Sequence, residues 1–414
     1  MRNLKIDGKR LWDDIHETGT IGGTAKGGVR RLTLSDEDRR VRDWFKAQCE
    51  ALGCSVTVDA VGNMFALRPG RNPNLPPIAM GSHLDTQPSG GKFDGVLGVL
   101  AGLEALRTLH DNGVETEAPF LLVNWTNEEG SRFTPAVMGS GAFAGALKVE
   151  DVHAKADRDG VTFAQAIDAI GYRGAAPVGG RKLSAYFELH IEQGPFLEAE
   201  GKTIGVVTHV QGMRWFNGVC TGVDGHAGAT PMFKRADALL SVARLVDRID
   251  KIARSHGPTA VGTIGELTPA APSINVVQGE VRFTIDLRDP KDEVLEVMEA
   301  EVRAAAAEIA AMNGTSFVIE RIWKAAPIPF DADCVAAVRE AAAISSHATR
   351  DCISGASHDA AYVQSVAPAA MIFIPSADGL SHNELESSSF EDCAAGAQVL
   401  LDAALLYDSK LAGR

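Results

Sequence analysis

Two predominantly apolar runs without strict alternation, at residues 120–126 and 369–375, constrain the fold most. Apolar runs that do not alternate with polar residues belong to strands buried on both faces, at the centre of a sheet covered by helices. Further β-like runs lie at 55–59, 63–67, 77–81 and 186–191. Between them, helical patterns are read at 96–109 and 390–407, and from a capping-box-like start at Ser35-Asp-Glu-Asp38. Strands alternating with helices predict an α/β sandwich with a largely parallel or mixed sheet.

The middle of the chain has another rhythm. A strand near 205–220, a helix at 234–256, strands at 260–267 and 280–287, a helix at 291–313 and a strand at 316–323 make a βαββαβ order, the ferredoxin-like pattern. With 414 residues the chain exceeds the usual size of one core. The expectation is a domain built from 1–210 and 327–414, with a small domain at 211–326 inserted into it.

Composition narrows the partners. A formal net charge of −14 argues against a nucleic-acid groove or an anionic membrane surface. No apolar run reaches the ~18 residues of a membrane span, and the polar start at residues 1–8 lacks a signal-peptide core. Six scattered cysteines with no Cys-x-x-Cys pair read as reduced thiols in a cytoplasmic protein and do not suggest metal ligation.

The chemistry concentrates where strands should end: Gly81-Ser-His-Leu-Asp-Thr86, Asp94-Gly95, Asn127-Glu-Glu-Gly130, His190 and His382. Imidazoles and carboxylates at strand ends are what a two-metal hydrolytic site needs, so His83, Asp94, Glu129, His190 and His382 are the candidate ligands. Asp85 is placed to accept the free imidazole N–H of His83. Neighbouring side chains diverge on extended backbone, so of Glu128 and Glu129 one can bind metal while the other handles protons. Taken singly, each of these residues is more often a turn, surface or satisfied core residue, and only their co-occurrence at several strand ends points to a shared site. Spacing alone leaves a dinuclear site and a set of unrelated residues both open. No phosphate loop, dinucleotide fingerprint, Gly-x-Ser-x-Gly elbow or His-Glu-x-x-His competes.

These segments resemble the zinc aminoacylase/carboxypeptidase superfamily, and within it the amidase, hydantoinase/carbamoylase branch. The likeness is carried by residues 81–86, 90–95, 127–133, 188–195, 226–232 (His-Ala-Gly-Ala-Thr-Pro-Met) and 381–386 (Ser-His-Asn-Glu-Leu-Glu), and runs from about Gly28 to the last helix. It implies a dinuclear-metal, peptidase-like α/β/α catalytic domain with the inserted segment as a lid and dimerisation domain. It further implies two divalent ions per subunit, zinc first with manganese, cobalt or nickel as alternatives. His83, Asp94 and His190 would hold one ion and Asp94, Glu129 and His382 the other, with Glu128 as general base. His226 is implied as an oxyanion donor reaching the other subunit of a homodimer, and Gln193, Asn275 and Arg288 as substrate-binding residues. Relatives commonly read Ser-Gly-Ala-Gly-His-Asp-Ala where this chain has Ser354-Gly-Ala-Ser-His-Asp-Ala360, which puts Ser357 and His358 in a substrate loop.

The reaction so implied is hydrolysis of the ureido C–N bond of an N-carbamoyl-L-amino acid to amino acid, ammonia and carbon dioxide. The alternatives are an allantoate amidohydrolase, a β-ureidopropionase, an N-acyl amino acid or dipeptide hydrolase, and a non-catalytic metal-binding protein. The expected partner is a small ureido compound with a carboxylate.

Overall fold

The computed structural model of the protein describes residues 4–413; residues 1–3 of the polar start lie outside them. The chain separates into two compact units, one running to Thr208 and resuming at Phe330, the other His209–Pro329.

The first unit opens with helices α1 (Gly8–Gly19) and α2 (Asp36–Ala51). The side chain of Ser35 caps α2 by accepting the N–H of Asp38. Strands β1 (Ser55–Val58), β2 (Met64–Arg68) and β3 (Ile78–His83) follow, then α3 (Val96–Asp111), β4 (Phe120–Trp125), β5 (Ala185–Ile191) and β6 (Ile204–Val210). Every residue of β3, β4 and β5 is buried, as expected of strands covered on both faces.

The second unit contains β7 (Gly212–Thr221), β8 (Gly225–His226), helix α4 (Ala238–Ser255), β9 (Val261–Thr263), β10 (Leu267–Pro269), β11 (Val276–Val277), β12 (Glu280–Asp289), α5 (Asp292–Asn313), β13 (Ser316–Ala325) and β14 (Ile328–Pro329). Its main sheet runs β10-β12-β7-β13, with β9 also on β12, and every pairing is antiparallel. Alternation along β7 and β12 buries Phe216, Cys220, Val281, Phe283, Ile285 and Leu287 against apolar residues of α4 and α5. β8 and β11 form a separate two-stranded ribbon that places His226 opposite Val276.

The chain then returns to the first unit with α6 (Ala332–Ile344), β15 (Thr349–Ser354), β16 (Ala369–Ile374) and α7 (Phe390–Ala412). The large sheet runs β1-β2-β4-β3-β5-β16-β6-β14, with β15 on β6; its four central strands are mutually parallel. Because β3, β4, β5 and β16 point the same way, their carboxyl ends share one edge of the sheet, where open α/β folds collect functional groups.

Two readings change. The single strand expected at 205–220 is two: β6 pairs antiparallel with β16 in the large sheet, while β7 pairs with β12 and β13 in the small one. Both halves favour extended backbone, and only their partners distinguish them. The run at 260–267 is likewise broken into β9 and β10. Among the described residues no helix is long and apolar enough to cross a membrane.

Candidate metal centre

His83 is the last residue of β3, and its ring is held by a local bond: Nδ1 lies 2.9 Å from the carbonyl oxygen of Asp85. A carbonyl can only accept, so in the neutral ring the hydrogen sits on Nδ1 and Nε2 offers a bare lone pair. His190, near the end of β5, is fixed the same way by the carbonyl of Ile191 at 2.9 Å. Both Nε2 atoms face one oxygen of Asp94: His190 at 3.1 Å and His83 at 3.6 Å from Oδ1. Asp94 immediately precedes Gly95 and α3, whose positive N-terminal end favours a carboxylate there. Gly95 has φ +68°, and a Cβ on it would lie 2.2 Å from the His83 ring, so only glycine fits.

The other oxygen of Asp94 faces a second group. Oδ2 lies 3.6 Å from His382 Nε2, which is 3.4 Å from Glu129 Oε2. His83, Asp94 and His190, and separately Asp94, Glu129 and His382, each bring ligand atoms within 4.8 Å of one another, and Asp94 belongs to both groups. Glu128 stands outside both, with Oε2 3.4 Å from His83 Nε2.

These donors fit a pair of cations. His83 Nε2 is buried and makes no hydrogen bond, yet it looks at two carboxylate oxygens too far away to share a proton well. A buried lone pair facing carboxylates is costly unless a positive charge lies between them. Burial pushes Glu128 well above the usual carboxylate range, and neighbouring Asp359, Glu129 and Asp94 push it further. Burial, then Asp94 and Asp85, does the same to Glu129. Burial opposes the charge on Asp94 too, but His190, His83 and His382 outweigh it and hold this carboxyl well below its ordinary value. A hard, carboxylate-rich site of this kind suits divalent ions with mixed nitrogen and oxygen ligands.

The role expected of Asp85 is corrected in its details. Its carbonyl, not its carboxylate, takes the His83 N–H. The carboxylate instead accepts the hydroxyl of Thr33 at 2.6 Å and faces the backbone N–H groups of Glu128 and Glu129 at 3.3 Å each. Asp85 thus ties the end of β3 to the segment after β4. Gln193, expected at the substrate, donates its amide to Asp94 Oδ2 at 2.9 Å and to Ser381 Oγ at 3.1 Å. His358 is buried, its ring 4.5 Å from that of His190, and burial lowers its pKa well below the usual histidine value; Ser357 beside it is exposed.

Three carboxylates that the sequence reading left without a role also belong to this region. Glu386 accepts the N–H groups of Phe93 and Asp94, while Glu188 takes the Ser82 hydroxyl and the N–H of Ala360. Asp359 accepts the hydroxyl of Ser140. Glu188 and Glu386 lie inside the recognised segments, so their burial was the missing clue.

The remaining candidates lie in the second unit. Nδ1 of exposed His226 accepts N–H groups from Gly228 and Ala229, and the carbonyl of Asn275 accepts the N–H of Ala227. Arg288, near the end of β12, grips Asp286 with Nε and a terminal nitrogen.

Comparison with known proteins agrees with this geometry. A profile of peptidase family M20/M25/M40 matches residues 79–406. The chain is 46% identical to an N-carbamoyl-L-amino-acid amidohydrolase of Rhizobium meliloti, covering 97% of each chain. It is 38% identical to one of Geobacillus stearothermophilus, covering 95% of this chain and 97% of the other. A crystal structure of an amidase of the hydantoinase/carbamoylase family from Burkholderia multivorans superposes with a TM-score of 0.94 at 50% identity, covering 98% of each chain. With near-complete coverage and an aspartate shared between two donor groups at one sheet edge, the chain belongs to the hydantoinase/carbamoylase branch of the M20 peptidase-like family.

Proposed function

We propose that the protein hydrolyses N-carbamoyl-L-amino acids to the amino acid, ammonia and carbon dioxide. The observation that carries this reading is Glu128, a buried carboxylate beside two donor groups bridged by Asp94 and belonging to neither. The relatives named as N-carbamoyl-L-amino-acid amidohydrolases support the choice of substrate.

Two divalent cations, zinc first, with manganese, cobalt or nickel able to take the same ligands, supply Lewis acidity to the ureido carbonyl and to the attacking water when bound. Glu128 takes a proton from that water as its oxygen adds to the ureido carbon. His226 of a second subunit donates a hydrogen bond to the oxygen that gains charge. Glu128 then returns the proton to the terminal nitrogen, the C–N bond breaks, and ammonia leaves. The carbamate left on the amino nitrogen releases carbon dioxide. Arg288 clamps the substrate carboxylate with its planar fork, Asn275 and Gln193 bind its polar groups, and Ser357 and His358 belong to the 354–360 substrate loop.

The 211–326 segment acts as a ferredoxin-like lid and dimerisation domain in a cytoplasmic homodimer. Its strand order supports the first part. Met232, Phe233 and Ile274, exposed apolar residues close in sequence to His226 and Asn275, support burial of that region by a partner. Six buried free cysteines suit a reducing compartment.

The deciding experiment is ammonia release by metal-loaded protein over N-carbamoyl-L-amino acids, allantoate and β-ureidopropionate, with amino acid release followed for N-acyl amino acids and dipeptides. N-carbamoyl-L-amino acids should give the highest kcat/KM. Preference for another class overturns the substrate, and no turnover on any of them overturns the enzyme.

A further inference from the structure

The turn after His226 dictates which ring nitrogen can donate. Gly228 and Ala229 both aim their N–H groups at Nδ1, each at 3.1 Å. A ring nitrogen that accepts two N–H groups carries no hydrogen of its own, so the neutral imidazole keeps its hydrogen on Nε2. The side chain is exposed, which leaves Nε2–H as the group offered to a ligand.

One side chain fastens both ends of this turn. Arg235 donates from Nε to the carbonyl of Thr230 at 3.0 Å and from a terminal nitrogen to that of Ala227 at 2.5 Å. Thr230 closes the turn with an N–H bond to the His226 carbonyl at 2.9 Å. These bonded edges of Arg235 serve backbone carbonyls rather than a carboxylate. A flat guanidinium can span two carbonyls at a fixed angle, which a lysine ammonium on a flexible stem holds less rigidly.

We propose that Arg235 is a positioning residue for the reaction. By tying Ala227 to Thr230 it keeps the Gly228 and Ala229 N–H groups on Nδ1, and so holds His226 as an Nε2–H donor for the oxygen that gains charge. The inference rests on the oxyanion reading of His226.

The test uses full-length, metal-loaded protein labelled with 15N-histidine, as wild type, R235M, R235K and H226A. The wild-type spectrum should show His226 as the Nε2–H tautomer and R235M a mixture of both, with metal content unchanged. Loss of a whole oxyanion donor costs about 10²–10³ in kcat, so partial misdirection in R235M should cost roughly tenfold, with KM nearly unmoved. R235K should fall between R235M and wild type. Should R235M fail to fold, A229P deletes one N–H donor, leaves Arg235 in place and should shift the tautomer in the same direction. An unchanged tautomer or an unchanged kcat in R235M overturns the role of Arg235. Full kcat in H226A overturns the oxyanion reading itself, a separate outcome.

Discussion

Glu386 and Asp94 are joined through the backbone: the carboxylate of Glu386 accepts the N–H of Asp94 at 3.1 Å, and the same oxygen takes the N–H of Phe93. The acid is buried, and burial followed by the charge of Asp94 pushes it up to about 8. Glu386 therefore holds the loop that delivers the shared carboxylate to both donor groups.

Removing that hold should loosen the metals. Glu386→Ala is expected to weaken metal binding by about 10–100-fold, the usual cost of losing a group that orients a ligand. Glu386→Gln keeps an acceptor oxygen and should stay close to wild type. Titration with a competing chelator, read by metal content, checks both; equal affinity in all three proteins would sink the idea.

Glu128 should separate metal binding from turnover. Glu128→Gln removes the proton acceptor and keeps the shape, so kcat should drop by about 10²–10⁴ with both ions retained. Ammonia release paired with metal analysis gives the answer. Undiminished turnover would show that another group moves the proton.

Arg288 should matter only to substrates that bring a carboxylate. A hydrogen bond to a charged group is worth about 1.5–3 kcal/mol, so Arg288→Ala should raise KM roughly tenfold to a hundredfold for the acid. The matching carboxamide should lose little. Since Asp286 holds the guanidinium in this structure, the substrate must displace or share that partner. Equal losses for acid and amide would refute the clamp.

Asp59 gives a pH effect away from the metal centre. It lies buried in a turn, accepting N–H groups from Val61 and Asn63 at 3.0 Å and the Asn63 amide at 2.9 Å. Burial outweighs these bonds and raises its pKa from 3.8 to about 6. The folded state thus holds this proton more tightly than the unfolded chain. The stability linked to it is complete below about pH 4 and is lost as pH rises through about 6. Asp59→Asn lacks that loss. Relative to wild type, its unfolding free energy should improve on the order of 2 kcal/mol between pH 4 and pH 7, measured by urea unfolding. A constant gap across that range would count against the shift.

Much of the centre was legible because its clues are local. The predominantly apolar, non-alternating run of β4 required burial on both faces, and Asn127-Glu128-Glu129 directly after it had to emerge at the sheet edge. His83 and His190, polar residues at the ends of apolar strands, called for a partner there. Glu386, Glu188 and Asp359 were not legible as anchors, because an exposed and a buried glutamate are spelled alike. What distinguishes Glu386 is two N–H groups nearly three hundred positions away.

The order of residues along the chain dictated the donor types, the strand ends that carry them and the layered class of the fold, since burial periodicity and side-chain chemistry act over a few neighbours. Tertiary pairing alone decided that β6 and β7 part into different sheets, that Asp94 turns one oxygen to His83 and His190 and the other to His382, and that Asp85 spends its carboxylate on the Glu128 and Glu129 amides. Those outcomes depend on desolvation and hydrogen-bond geometry between distant segments, which exist only once the four central strands lie side by side.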